Sequence, residues 1–145
     1  MSQHVKIYNS EHRAYLVCRR STWDGIHPVE LNKNPSIEDF YQTWTLAWQD
    51  QHVFILEIAP IQVNLFMFDP QSPINPIPTA HTAWAAKTSY KSPVELIYNA
   101  KENSIKTNAG SSSLYLTSDL KESFAYFDIE PQKYWEIQYD WNKTI

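Results

Sequence analysis

What most constrains this chain is a rhythm of short strand-like runs. Val5-Lys-Ile-Tyr8, Ala14-Tyr-Leu-Val-Cys18, Pro28-Val-Glu-Leu31, Thr43-Trp-Thr-Leu-Ala-Trp48 and His52-Val-Phe-Ile-Leu-Glu-Ile58 are β-branched or aromatic. Gln62–Phe68, Pro93–Tyr98, Ser113–Thr117, Ser123–Ile129 and Tyr134–Tyr139 continue the pattern. Turn formers separate them: Asn9-Ser10, Asp24-Gly25, Asn34-Pro35, Asp69-Pro70, Asn108-Ala-Gly110 and Glu130-Pro131. Strands at a spacing of roughly 8–14 residues predict an all-β sandwich or barrel. No segment carries a 3.6-residue period. Ser36-Ile-Glu-Asp-Phe40 opens with a capping serine but has room for one turn only. With 145 residues, residues 1–145 are expected to form one domain.

Composition excludes several function classes. Only 2 glycines are present, where an average usage of about 7% would supply about ten. That scarcity opposes a P-loop or dinucleotide-binding turn. Asn, Asp, Ser and 9 prolines serve the turns instead. One cysteine rules out an internal disulfide and a multi-thiolate metal site. Cys18, inside a strand, reads as a small buried hydrophobe. The net charge of −4 and the lack of a basic run beyond Arg19-Arg20 argue against nucleic acid as a partner. The first residues have no apolar core of a signal peptide, and no run is long enough to insert in a membrane, so a cytoplasmic location is expected.

Three tryptophans suggest an internal repeat. Trp44 leads through a turn into Val53-Phe-Ile55, Trp84 into Val94-Glu-Leu96, and Trp135 to the chain end, after which the next strand is Val5-Lys-Ile7. Ile-Tyr-Asn occurs at residues 7–9 and 97–99. Three four-stranded units closed on one another predict about twelve strands with adjacent termini, the plan of a β-trefoil. Gln42-Thr43-Trp44, with Ile7-Tyr8-Asn9, Tyr15-Leu16 and Pro28–Leu31, resembles the Gln-x-Trp element and flanking strands of ricin B-type lectin domains. The resemblance is best in the first unit. His81–Trp84 stands for the motif in the second, and Gln132 lies three residues before Trp135 in the third.

That resemblance implies a carbohydrate-binding protein without a cofactor, whose partner is a glycan or glycoprotein. Of the family's sugar ligands only Gln42 carries over. Val17 stands where an Asp is expected, Asn32 where an aromatic is, and Tyr41 where an Asn is. From the residues themselves, sugar recognition needs an aromatic platform beside planar polar groups. Trp23 and Asp24, in the loop Ser21–His27, supply these outside the tryptophan register, so Trp23, Asp24, Asn32, Tyr41 and Gln42 are the candidate carbohydrate-binding residues. Folding of Trp23 onto a strand end, with Asp24-Gly25 only a turn, is the alternative.

Catalysis finds no purchase. The five histidines are scattered, no serine sits in Gly-x-Ser-x-Gly, and no metal-ligand spacing occurs. A non-enzyme is expected, with no metal. A β-trefoil protease inhibitor remains open, presenting Arg19 and Arg20 or the Pro-rich segment 69–78 to a protease. So does a protein-interaction trefoil without a ligand.

Overall fold

The computed structural model describes residues 2–69, 81–109, 112–118 and 124–144. The chain is all-β. Its strands are β1 (Ser2–Asn9), β2 (Ala14–Arg19), β3 (His27–Asn32), β4 (Phe40–Tyr41), β5 (Trp44–Trp48), β6 (Phe54–Ile58), β7 (Val63–Met67), β8 (His81–Ala86), β9 (Ile97–Asn99), β10 (Ser104–Ala109), β11 (Ser112–Thr117), β12 (Tyr126–Asp128) and β13 (Trp135–Thr144). A 3-10 turn, Ala59–Ile61, joins β6 to β7. The one-turn reading of Ser36–Phe40 agrees with the Ser36 carbonyl accepting from the Asp39 and Phe40 amides. No described helix is long and apolar enough to cross a membrane.

Every strand pairing is antiparallel, and the pairings close two circuits. A circuit of seven strands runs β3-β2-β1-β5-β6-β7-β8 and returns to β3. A second circuit of six uses β1, β5, β6, β9, β10 and β13. There β1 pairs β5, β5 pairs β6, and Phe54 bridges Leu96 just before β9. From there β9 pairs β10, the Trp135 amide donates to the Asn103 carbonyl at 2.9 Å, and β13 pairs β1. Closure leaves fewer free edges than an open sheet would.

The second circuit has a repeating register. Ile7 faces Ile137, Leu56 faces Leu46, and Ile105 faces Tyr98. Two residues earlier on each strand of the circuit, Val5 faces Trp44, Phe54 faces Leu96, and Asn103 meets Trp135. Three hairpins, β2-β3, β7-β8 and β11-β12, stand on the circuit with matching pairs Leu16–Leu31, Leu65–Ala85 and Leu116–Phe127. They converge where the Ala125 amide donates to Val29 O and the Ala83 amide to Ala125 O, both at 2.8 Å. The inward residues, among them Val5, Ile7, Leu16, Trp44, Leu46, Phe54, Leu56, Leu65, Ile105, Leu116 and Trp135, form one buried cluster. Alternation of buried and half-buried residues along β1 and β6 follows from the two-residue period of a strand with one face inward.

That register corrects the tryptophan phase. Trp44 and Trp135 occupy matching places, and their indole N–H groups donate to Leu16 O (2.9 Å) and Leu116 O (3.0 Å). The matching place in the middle unit holds Leu96, not Trp84. Trp84 lies on the hairpin strand β8, bonded to Thr82 Oγ1 at 2.9 Å, in a second cluster with Ile26, Phe66, Phe68 and Ala86. The turn at Lys87–Tyr90 separates it from the circuit, so equal sequence spacing did not mean equal place. All three indoles are nonetheless fully buried. The repeated Ile-Tyr-Asn is also not a unit marker, since β1 and β9 hold different places in the register. Its asparagine is a turn signal: Asn9 Oδ1 accepts from the His12 amide, and Asn99 Oδ1 from the Lys101 and Glu102 amides.

Candidate functional site

The candidate residues do not converge on one point. Trp23 and Asp24 form a tight hairpin turn with Gly25 and Ile26, closed by Trp23 N to Ile26 O at 2.8 Å and the reciprocal bond at 3.2 Å. Asp24 (φ 53°) and Gly25 (φ 82°) both have left-handed backbone, as a type I′ turn requires. The Trp23 ring leans edge-on against Trp84 and is tilted against Phe124, each at 5.9 Å, and stays 48% exposed. The indole therefore serves the second apolar cluster on one side and faces solvent on the other. Asn32 lies at the far end of β3, opposite Tyr15, and its Oδ1 accepts from the Asn34 amide at 3.0 Å.

Tyr41 and Gln42 do meet other polar groups. They line a cleft of about 420 Å³ with His4, Lys6, Arg20, Thr43 and Thr45, floored by Pro35, Phe40, Ala59 and Pro60. β1 supplies His4 and Lys6 from its outward face, while Val5 and Ile7 point into the core. The segment that leads to Trp44 supplies Tyr41–Thr43, anchored when that indole inserts under β2. Arg20, just past β2, closes the side.

Arg20 is held firmly for an exposed arginine. Its Nε–H donates to Ile37 O at 2.7 Å, and its guanidinium carbon lies 3.9 Å from the Tyr41 ring centroid. Its backbone amide donates to Asp39 O at 2.8 Å. Arg19, by contrast, is ion-paired through Nε to Glu30. His27 Nδ1–H donates a hydrogen bond to the Arg19 carbonyl at 2.7 Å, which assigns that hydrogen to Nδ1. Neither arginine projects on an extended loop. Residues 70–78 of the Pro-rich segment, and Gly110, lie outside the described residues.

The shared register identifies a matching cleft in the middle unit. Asp69 follows Leu65 as Arg20 follows Leu16, four residues on. Val53 precedes Leu56 as His4 precedes Ile7. Pro93, Val94 and Glu95 precede Leu96 as Tyr41, Gln42 and Thr43 precede Trp44. All of these line a cleft of about 460 Å³ together with Lys91. There Lys91 Nζ donates to Met67 O at 2.7 Å and lies 3.8 Å from Asp69 Oδ2. The two clefts share a frame but differ at matching positions: Arg20, Tyr41, Gln42 and Thr43 of one are Asp69, Pro93, Val94 and Glu95 of the other. The first presents cations, an amide and hydroxyls with no carboxylate; the second presents an amide (Asn108) and hydroxyls (Ser92, Thr107) with two carboxylates, Asp69 lying near Lys91. In the third unit Gln132 does related work, its side chain bonding both the amide (2.9 Å) and the carbonyl (2.7 Å) of Ser118.

Nucleophilic and metal chemistry have little to build on among the described residues. Burial raises the Cys18 thiol from 9.0 to about 12, so it is a core thiol. No three His, Cys, Asp or Glu side chains cluster to hold a metal ion among the described residues. Composition of the His4–Arg20–Gln42 cleft had been legible only through Tyr41 and Gln42. The contributions of His4, Lys6 and Thr45 arise from strand pairing between segments about 40 residues apart, which no local signal announces. No protein-family model matches the chain, and no curated protein matches it.

Proposed function

We propose that the chain is a β-trefoil carbohydrate-binding protein, a divergent relative of ricin B-type lectins, and that the sugar sits in the cleft lined by Arg20, Tyr41 and Gln42. The trefoil reading is supported by the six-strand circuit, its register repeated three times, and the three converging hairpins. The observation that carries the binding reading is the difference between the two matching clefts. Most core positions of the repeat keep their apolar character, whereas the cleft positions diverge: one cleft holds Lys6 and Arg20 beside an aromatic edge with no carboxylate, the other holds Asp69 and Glu95 with Lys91. A shallow cleft with amide and hydroxyl groups beside apolar walls matches the hydroxyl-rich, C–H-faced surface of a sugar. Binding without chemical transformation is the expected activity.

The protease-inhibitor reading has weaker support, because Arg19 and Arg20 are both engaged by the protein's own groups. A glycan array probed with the purified chain tests the proposal. Binding to a restricted set of glycans, reduced at least about tenfold by Gln42→Ala, is expected (about 1.4 kcal/mol). No glycan above background sinks it.

A further inference from the structure

Resting on the carbohydrate reading of the same cleft, we propose that the ligand is an acidic sugar, whose carboxylate is received by the Arg20 fork in the cleft that it shares with His4 and Lys6. The chain as a whole is acidic, at −4. Yet the residues lining this cleft include three basic side chains and no carboxylate. Among the described residues, no carboxylate pairs with Arg20, His4 or Lys6. Glu38 and Asp39 line an adjoining hollow that Arg20 shares, and Glu57 of β6 pairs with Thr45 across the strands. Asp39 there accepts from Ser36 Oγ at 2.9 Å. Lys6 Nζ stands 6.0 Å from the Tyr15 ring, a weak contact that leaves its charge available.

The guanidinium is preorganised. The Tyr41 ring below it and the Ile37 carbonyl on Nε fix its plane, while its two terminal nitrogens carry no bond within the described residues. A planar fork with free terminal donors suits a carboxylate, which it can meet with two parallel bonds. Little side-chain entropy is left to lose on binding. Gln42 and the Thr43 and Thr45 hydroxyls then face the ring hydroxyls. The matching cleft makes the same point by contrast. Asp69 replaces Arg20 and Glu95 replaces Thr43, and Lys91 lies near Asp69. An acidic sugar is repelled there, so the middle cleft is not expected to bind it.

The test is calorimetric titration with three probes: an oligogalacturonide, its methyl ester, and inorganic sulfate. The acid is expected to bind at least about tenfold tighter than the ester, with an affinity that falls as salt rises. Arg20→Gln should remove that preference and Arg20→Lys should restore part of it, the charge remaining but the fork being lost. Thermal melts of both variants, expected to match the parent, exclude unfolding as the cause. Asp69→Asn should leave binding unchanged. Equal binding of acid and ester, unaffected by Arg20→Gln, overturns the acidic-sugar inference and leaves the carbohydrate reading standing. Sulfate bound as tightly as the acid sugar overturns it too, since the cleft is then a simple anion site. Failure of all three probes, together with a blank glycan array, removes the carbohydrate reading itself.

Discussion

Trp44 and Trp135 show what single residues contribute. Each fills the core and ties its strand to a neighbouring hairpin strand by an indole N–H bond to a buried carbonyl. Where Leu96 takes their place, the backbone compensates: the Val94 amide donates to Leu65 O at 3.0 Å, and Leu65 matches Leu16 and Leu116. The matching carbonyl of each unit is therefore satisfied, twice by an indole N–H and once by a backbone amide. Trp44→Phe keeps most of the apolar volume but strands the Leu16 carbonyl. We expect a loss of about 2–3 kcal/mol in urea-unfolding stability. A loss below about 0.5 kcal/mol shows that another donor reaches that carbonyl.

At the scale of elements, the turns explain how strands pair with so little glycine. Four-residue connections join Asn9 to Ala14, Ile58 to Val63 and Asn99 to Ser104. In each, the last loop residue is left-handed: Arg13 (φ 53°), Gln62 (φ 55°) and Asn103 (φ 53°). Asparagine tolerates this conformation, whereas Arg and Gln meet a Cβ–carbonyl clash of about 1 kcal/mol. Arg13→Gly and Gln62→Gly are each expected to stabilise the protein by about 0.5–1 kcal/mol. Gly25→Ala, at φ 82°, is the opposite case. A Cβ there meets nothing within 4 Å, so its cost of about 1 kcal/mol is backbone strain alone. Thermal melts of the three variants check both signs, and stabilisation by Gly25→Ala would contradict the turn assignment.

At the scale of the molecule, closure of the strands around one core sets the pH response. Burial lifts Cys18 to about 12. Tyr98 is also raised, by burial first and then by the nearby Glu136 and Tyr139 charges, and Tyr139 is raised by burial. All three groups hold their proton more tightly folded than unfolded. Their contribution is thus fully present below the ordinary thiol value of 9.0 and is lost as pH climbs toward about 12. The urea midpoint is expected to fall between pH 9 and 11, and to fall less in Cys18→Ala. An unchanged midpoint across that range shows that these groups are not buried in solution. Native Cys18 should likewise resist iodoacetamide at pH 8 and react once urea is added.

What the sequence determined by itself was the local chemistry. Strand runs, turn residues, the single helical turn at Ser36–Phe40 and the burial of Trp44, Trp84, Trp135 and Cys18 follow from side-chain shape, period and polarity, which act over a few residues. The 3-10 turn at Ala59–Ile61 has only Pro60 near its start as a local signal, too little to separate it from a connecting turn. Tertiary structure alone decided which positions are equivalent. Spacing placed Trp84 with Trp44 and Trp135, but hydrogen-bond register put Leu96 there, because pairing aligns backbones and not matching letters. The cleft was decided in the same way. Tyr41 and Gln42 were visible in the Gln-x-Trp phrase, yet His4, Lys6 and Arg20 joined them only when β1 paired with β5 and the Arg20 amide bonded Asp39 O. Gathering like charges into one cleft depends on long-range pairing, which a linear pattern does not encode.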